Sequence, residues 1–343
     1  MPVIAPAVAV IHPSYTMPEL LLPYSQASGA FATLPRGDAE VRLGEGDLAA
    51  YINRIDVRTK VAAGQAAYNQ LPSCDVVLSL IKTPTYLMRV RAEYDHHDTA
   101  AMARRGVSIV QAQRLAMRQG HFQQGRVALL YGFNPQNGEG LINANGATSV
   151  PLPADQYGNT TVTTYDNGSM AFFLINQWEQ IKVRTNQLGI GRTVVILGPQ
   201  RVLGTFAYNV VQLVQYQRVG AGSTSTAGVV KAVSMDNGDT VIWAYDDTLI
   251  GKGAAASGSP TDAVLMVMPE VEKPQGSTWN TNEFAKLAPG LEACTLQLCD
   301  MAAPREIPTP LPGGAIDVLS EMRITSGWGV RPEAITVISM PYP

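Results

Sequence analysis

Charge is scarce in this chain. Only 15% of the 343 residues are Asp, Glu, Lys or Arg, although the hydrophobic content of 46% is ordinary for a packed protein. Low charge over a normal core is expected where much of the surface is covered by something other than water, as in a large assembly. The net charge of −3 leaves no basic field with which to hold nucleic acid by its phosphates. Cysteine is scarce as well. Cys74, Cys294 and Cys299 make an odd number, and the 294–299 spacing fits no zinc signature, so free thiols in a reducing compartment are expected. The start, MPVIAPAVAVIHP, lacks a positively charged region, and no apolar run is long enough to span a bilayer, so neither a secretory leader nor a membrane segment is expected.

The residue patterns that carry chemistry are missing too. Glu93, Asp95, His96, His97, Asp98 and His121 form the one metal-like grouping, but a helix puts His97 and Ala101, not two ligands, at i and i+4. Acids favouring the positive end of a helix explain the group more simply. Asp236, Asp239, Asp246 and Asp247 lack the spacing and terminal glutamate of a calcium loop. No G-x-S-x-G elbow surrounds a serine, and no cysteine has the setting of an activated thiol. Gly132, Gly138 and Gly140 have the spacing G-x5-G-x-G, neither a dinucleotide fingerprint nor a phosphate loop. Trp178, Trp243, Trp279 and Trp328 are scattered, as core or interface aromatics are. No catalytic residue, cofactor or metal is expected, and an enzyme is disfavoured.

What is present is a succession of distinct elements. Residues 1–36 hold Pro2, Pro6, Pro13, Pro18, Pro23 and Pro35, which exclude a regular helix, yet Val3, Ile4, Val10, Ile11, Tyr15, Leu20, Leu21, Leu22 and Phe31 are too apolar for a solvated tail. Two readings stand: a flexible terminus, as chain ends commonly are, and a strap lying in a groove of a neighbouring subunit, which suits both facts. Asp47 is placed to cap a short helix over 48–55. Arg54, Asp56, Arg58 and Lys60 follow as a charged patch. Residues 76–81 and 86–92 read as two strands joined by a turn at Lys82-Thr83-Pro84-Thr85. A lone hairpin is marginal in water, so this one needs a partner surface.

From Asp98 to about Leu130 a single helix roughly 50 Å long is predicted, with Ala103, Val107, Val110 and Met117 on its apolar stripe. Gly106 and Gly120 weaken it. A second helix starts near Ser169 and buries Met170, Phe173, Leu174, Trp178 and Ile181, with Gly189 and Gly191 as its stop. Residues 193–197 form a buried strand, and 199–207 start another helix. Residues 208–289 read as a strand-rich lobe. There 229–235 and 240–245 flank Asp236-Asn237-Gly238-Asp239, a hairpin signal, and 263–268 is an apolar strand. Residues 292–301 are read as extended, 304–314 as a proline-rich crossing, and 316–324 and 335–340 as strands.

This order of parts, together with LLYGFNPQNGEGLIN (129–143) and GWGVRPEAITVI (327–338), resembles the major capsid protein of tailed double-stranded DNA phages, the Hong Kong 97 (HK-97) type. The resemblance implies an α+β fold with four parts. These are an N-terminal arm (1–36), an extended loop lying over a neighbour (41–94), a peripheral domain with a long spine helix (95–207 and 290–343), and an axial domain (208–289). It implies a virion subunit, assembled in the host cytoplasm, that forms hexamers and pentamers of an icosahedral head. The head encloses double-stranded DNA without sequence-specific binding. Contacts between copies are implied at Val10, Ile11, Tyr15 and Leu21 of the arm and at Arg54, Arg58, Lys60, Arg89 and Arg91 of the loop. Implied partners are a portal, a decoration protein and a scaffolding protein; the scaffold is expected as a separate chain, because no long helical segment precedes the arm. Some relatives weld a loop lysine to an asparagine of another subunit. Lys60 and Lys82 are available here, but no asparagine follows Asn282, so a noncovalent shell is expected. Two other readings compete: an encapsulin nanocompartment carrying enzyme cargo, and an enzyme with a β-rich substrate lobe.

Overall fold

Pro84 shows how the chain is built. The computed structural model describes residues 29–34, 42–58, 75–104, 108–185, 187, 191–208, 225–253, 261–269, 296–297, 301, 303–329 and 331–343. A five-residue helix, α1 (Gly29–Thr33), precedes two strands, β1 (Ala49–Arg58) and β2 (Asp75–Tyr94). The turn predicted at 82–85 is absent: β2 runs straight through it for 20 residues. Residues 75–84 pair with β1, and residues 85–94 pair with a strand from the C-terminal part, Ile316–Thr325. Proline has no N–H to give a ladder, and Pro84 stands where one ladder ends and the other begins. The helix predicted over 48–55 is also overturned. Residues 49–55 are strand, and the Asp47 carboxylate closes a turn by accepting from the Gly44 amide at 2.7 Å. The β-branched Ile52, Ile55 and Val57 suit an extended chain once β2 offers a ladder.

The single long helix is two: α2 (His96–Ala103) and α3 (Ile109–Leu130). Asp95 caps the first by accepting from the Asp98 amide at 2.7 Å, and Ser108 caps the second through the Gln111 amide at 3.4 Å. The α3 rod is therefore about 33 Å long at 1.5 Å per residue. Its buried face carries Met117, His121, Gly125, Ala128 and Leu129, whereas Ala103 of the predicted stripe is exposed; Gly106 and Val107 lie outside the described residues. Strand β3 (Thr148–Pro151) leads to α4 (Asn167–Arg184), which Asp166 caps and which buries all five predicted apolar residues. It ends at Arg184, ahead of the glycines named as its stop. Next come β4 (Thr193–Gly198) and α5 (Gln200–Tyr208), both where the sequence predicts them.

The hairpin predicted over 229–245 is replaced by a helix and a strand, α6 (Thr226–Asp236) and β5 (Thr240–Tyr245). Ser225 caps α6 through the Gly228 amide at 3.2 Å. Asn237-Gly238, with Gly238 at φ 77°, ends a helix here rather than turning a hairpin. Then follow β6 (Thr261–Val267), β7 (Leu296–Gln297), β8 (Arg305–Pro310), β9 (Ile316–Thr325), β10 (Trp328–Gly329) and β11 (Ile335–Pro341). The proline-rich crossing thus contains a strand. Of the extended stretch read over 292–301, 296–297 and Met301 fall within the described residues.

Two larger sheets result. One has the order β1-β2-β9-β8, with β8 and its Pro308 and Pro310 at an edge, where a missing donor costs nothing. The other has the order β3-β11-β6-β4-β5. All seven residues of β6 are buried. Val264 and Met266 face a layer containing Leu174 and Ile181 of α4, Phe206 of α5 and Val230 of α6. Ala263, Leu265 and Val267 face Ala30 of α1, Leu129 and Leu130 of α3, and Leu141. This five-stranded sheet draws β3, β4 and β11 from 95–207 and 290–343 and draws β5 and β6 from 208–289, so a boundary at 208 runs through its hydrogen bonds.

Candidate assembly surface

Strand β1 and the first half of β2 form a two-stranded arm with apolar side chains on both faces. Leu78 is 71% exposed, Leu80 60% and Val76 54%, and Leu48 at the foot of β1 is 77% exposed. Side chains alternate along a strand, so Val77 and Leu78, or Val76 and Val77, point to opposite sides. Among the described residues, only the base of the arm is covered, where Ala50 and Ile81 pack with Leu43 and Trp328. Exposed apolar side chains grouped in this way make the arm a candidate contact surface. At the body end of the arm, Lys82 lies over the Tyr51 ring at 5.8 Å.

The residues implied as intersubunit contacts fall in three places. Val10, Ile11, Tyr15, Leu21 and Lys60 lie outside the described residues. Arg54 and Arg58 are on β1, in register with Ser79 and Asp75. Arg89 and Arg91 are on the body half of β2, where each finds a carboxylate of its own subunit: Arg89 Nε is 2.8 Å from Glu321, and Arg91 Nε is 2.8 Å from Asp317. Both guanidinium side chains stay more than half exposed, and ion pairs at such surfaces add little stability.

The foot of the arm is held by a buried carboxylate that no sequence pattern marked. Glu139 lies between Gly138 and Gly140 of the glycine loop. Its Oε1 accepts from the Tyr86 hydroxyl at 2.7 Å, and its Oε2 accepts from the Asn134 amide at 3.1 Å and the Ser326 hydroxyl at 2.9 Å. Ser326 Oγ accepts in turn from the Phe133 amide at 3.2 Å. The Tyr86 ring rests against Phe133 with centroids 4.7 Å apart. Burial, and then the bond to Glu139, push the Tyr86 hydroxyl up to about 12. The only sequence signal for this hub was a lone acid between two glycines.

Two glycines are essential to the geometry. Gly140 has φ 84°, and a Cβ there would sit 2.3 Å from the Tyr131 carbonyl carbon; a Cβ on Gly327 would sit 2.0 Å from the Leu129 oxygen. The Gly140 amide donates to Gly327 at 2.8 Å, and the Gly327 amide donates to Ala128 at 2.9 Å. The two sequence segments on which the resemblance rests therefore touch.

Asp239, Asp246 and His121 are built into the scaffold. Asp239 is fully buried and accepts from the Trp178 indole at 2.8 Å, from Lys182 Nζ at 2.9 Å and from the Arg192 amide at 2.7 Å. Asp246 caps a turn through the Thr248 amide at 3.1 Å. The His96 and His97 rings lie against each other at 3.9 Å at the start of α2, while His121 is apart from them on α3, its Nε2 3.1 Å from Ser320 Oγ on β9. Burial depresses the His121 pKa, opposed by its bond to Ser320. Among the described residues no group of three His, Cys, Asp or Glu side chains gathers as a metal site, and no helix is long and apolar enough to cross a membrane.

No protein-family model matches the chain, and no curated protein matches it by sequence. Solved structures do match its fold over nearly the whole length. It is similar to a chain of the capsid of Myoviridae phage XM1, with 9% identity, 95% of this chain and 96% of that one covered, and a TM-score of 0.63. For the capsid of a native GTA particle the identity is 10%, the coverage 99% and 100%, and the TM-score 0.56. For the capsid of cyanophage P-SCSP1u they are 12%, 96% and 93%, and 0.55. The chain has the HK-97-like α+β capsid fold.

Proposed function

We propose that this chain is a major capsid protein whose copies form the hexamers and pentamers of an icosahedral phage head around double-stranded DNA. The observation that carries the proposal is the arm. Its outer part exposes Val76, Leu78 and Leu80 on one face and Val77 on the other, no described residue covers them, and a neighbouring copy laid beneath it supplies a cover. The whole-chain likeness to capsid subunits supports the same reading. In this role β1 and the first half of β2 are the extended loop, and residues 1–36 are the N-terminal arm. Residues 208–289, with the five-stranded sheet they help build, take the axial position. Contacts between copies are assigned to Val10, Ile11, Tyr15, Leu21, Arg54, Arg58 and Lys60, and to the outward guanidinium groups of Arg89 and Arg91. The protein is structural rather than catalytic. A portal, a separate scaffolding protein and a decoration protein complete the particle, which is assembled in the host cytoplasm. Weak net charge suits a container whose DNA must leave, because each phosphate held by a cation would resist release.

Electron microscopy of the purified chain, expressed with and without its scaffolding protein, tests this. Closed shells are expected, and a monomer or small oligomer at every concentration overturns the proposal. Shells isolated from infected cells are expected to protect DNA from nuclease; shells filled with a protein cargo instead overturn the phage-head reading.

A further inference from the structure

We propose that Glu139 and Tyr86 are positioning residues that set the angle at which the arm leaves the body of the subunit. The inference rests on the shell reading and adds to it the residues that control how one copy reaches the next.

The case begins with the ladders. Every residue of β2 from Asp75 to Pro84 pairs with β1, and every residue from Thr85 to Tyr94 pairs with β9. The ladder partner changes between Pro84↔Ala49 and Thr85↔Thr325, so β2 passes from arm to body at one point, beside which Ala50 and Ile81 of the arm's base pack with Leu43 and Trp328. That point is secured twice. Thr85 Oγ1 donates to the Asp47 carbonyl at 2.5 Å, and the Thr85 amide donates to the Leu48 carbonyl at 3.1 Å. Arg323 Nη1 reaches both the Asp47 carbonyl, at 2.9 Å, and Thr85 Oγ1, at 3.1 Å. The next residue, Tyr86, points to the other face of the strand and is gripped by Glu139 and Phe133.

One carboxylate thereby joins three pieces of chain: the root of the arm through Tyr86, the glycine loop through Asn134, and the turn after β9 through Ser326. The joint is polar and lies outside the hydrophobic clusters that hold the five-stranded sheet. Its loss is therefore expected to spare the body. The arm amplifies what happens at its root. Ten residues of strand reach about 33 Å, so a rotation of about 5° at Tyr86 moves the tip by about 3 Å, enough to lift an apolar side chain out of contact.

The test compares wild type with Tyr86→Phe, which deletes the hydroxyl and keeps the ring on Phe133, and with Glu139→Gln. The thermal midpoint of the unassembled subunit and the diameter distribution of assembled shells are read side by side. Tyr86→Phe is expected to stay within about 3 °C of wild type, a shift of the size one lost hydrogen bond gives. Its shells are expected to spread over at least twice the wild-type range of diameters, with open sheets among them. Shells of wild-type size and yield from both variants overturn the proposal. So does a collapse of both subunits to insoluble protein, which would make the joint a general brace. A wild-type chain that forms no shells removes the shell reading, and the latch with it. Wild-type shells alongside unaltered variant shells remove the latch alone.

Discussion

Asp239 gathers three buried donors on one carboxylate. Lys182 reaches it with almost no solvent contact, and the Trp178 indole and Arg192 amide end on the same carboxylate. Cutting one member of such a pair leaves a buried charge without its partner, at a cost of about 3–5 kcal/mol. Asp239→Ala is therefore expected to lower the subunit's thermal midpoint by ten degrees or so or to abolish soluble expression, on the scale of about 2–4 °C per kcal/mol for a chain this size. A midpoint within about 2 °C of wild type contradicts that role. His121 gives the pH prediction. Burial holds its folded-state pKa below the ordinary value of about 6.5, so the unfolded chain binds the proton more readily. Its contribution is whole above about pH 6.5, falls as the pH drops towards the folded-state pKa, and levels off below it. The midpoint of wild type is expected to fall more steeply from pH 7 to 5 than that of His121→Asn; parallel profiles contradict this. At this scale the sequence was least legible. Glu139 stands in no motif and Asp239 reads only as part of a turn, because their partners lie 53 and 61 positions away at Tyr86 and Trp178.

At the scale of elements, periodicity succeeded where one face is buried. The apolar positions of α4 recur at helical spacing because a single side of that helix meets the sheet, and all five predicted positions are buried. The reading failed where a local signal serves two structures. Asn237-Gly238 fits both a hairpin turn and the left-handed end of a helix, and only the upstream run that packs Val230 against α4 decides between them. In the sequence Pro84 reads as part of a turn, since a proline interrupts a ladder; a strand that exchanges ladders at that residue has nothing to interrupt. The arm's exposed leucines give this scale its prediction. Leu78→Ser with Leu80→Ser removes apolar surface already in water, so the subunit's midpoint is expected to stay within about 2 °C, because such surface substitutions move stability by about 0.5 kcal/mol or less. Assembly yield by sedimentation is expected to fall at least tenfold. Unchanged yield contradicts the placement of the arm over a neighbour.

For the molecule as a whole, low charge and the apolar arm fit the proposed assembly, in which these surfaces end up against copies of the same chain. Rings of identical subunits use heterologous contacts that close on themselves. With no asparagine after Asn282 to receive Lys60 or Lys82, the shell is proposed to be held noncovalently. Boiled particles are then expected to run as a single monomer band on denaturing electrophoresis, and a subunit ladder contradicts this. The most direct measurement is a cryo-electron microscopy map of the assembled chain. It is predicted to show icosahedral shells in which Leu78 and Leu80 of each arm are buried against a neighbouring copy. A map in which the arm lies on its own subunit, or a protein that forms no closed particle under any condition, would contradict the account.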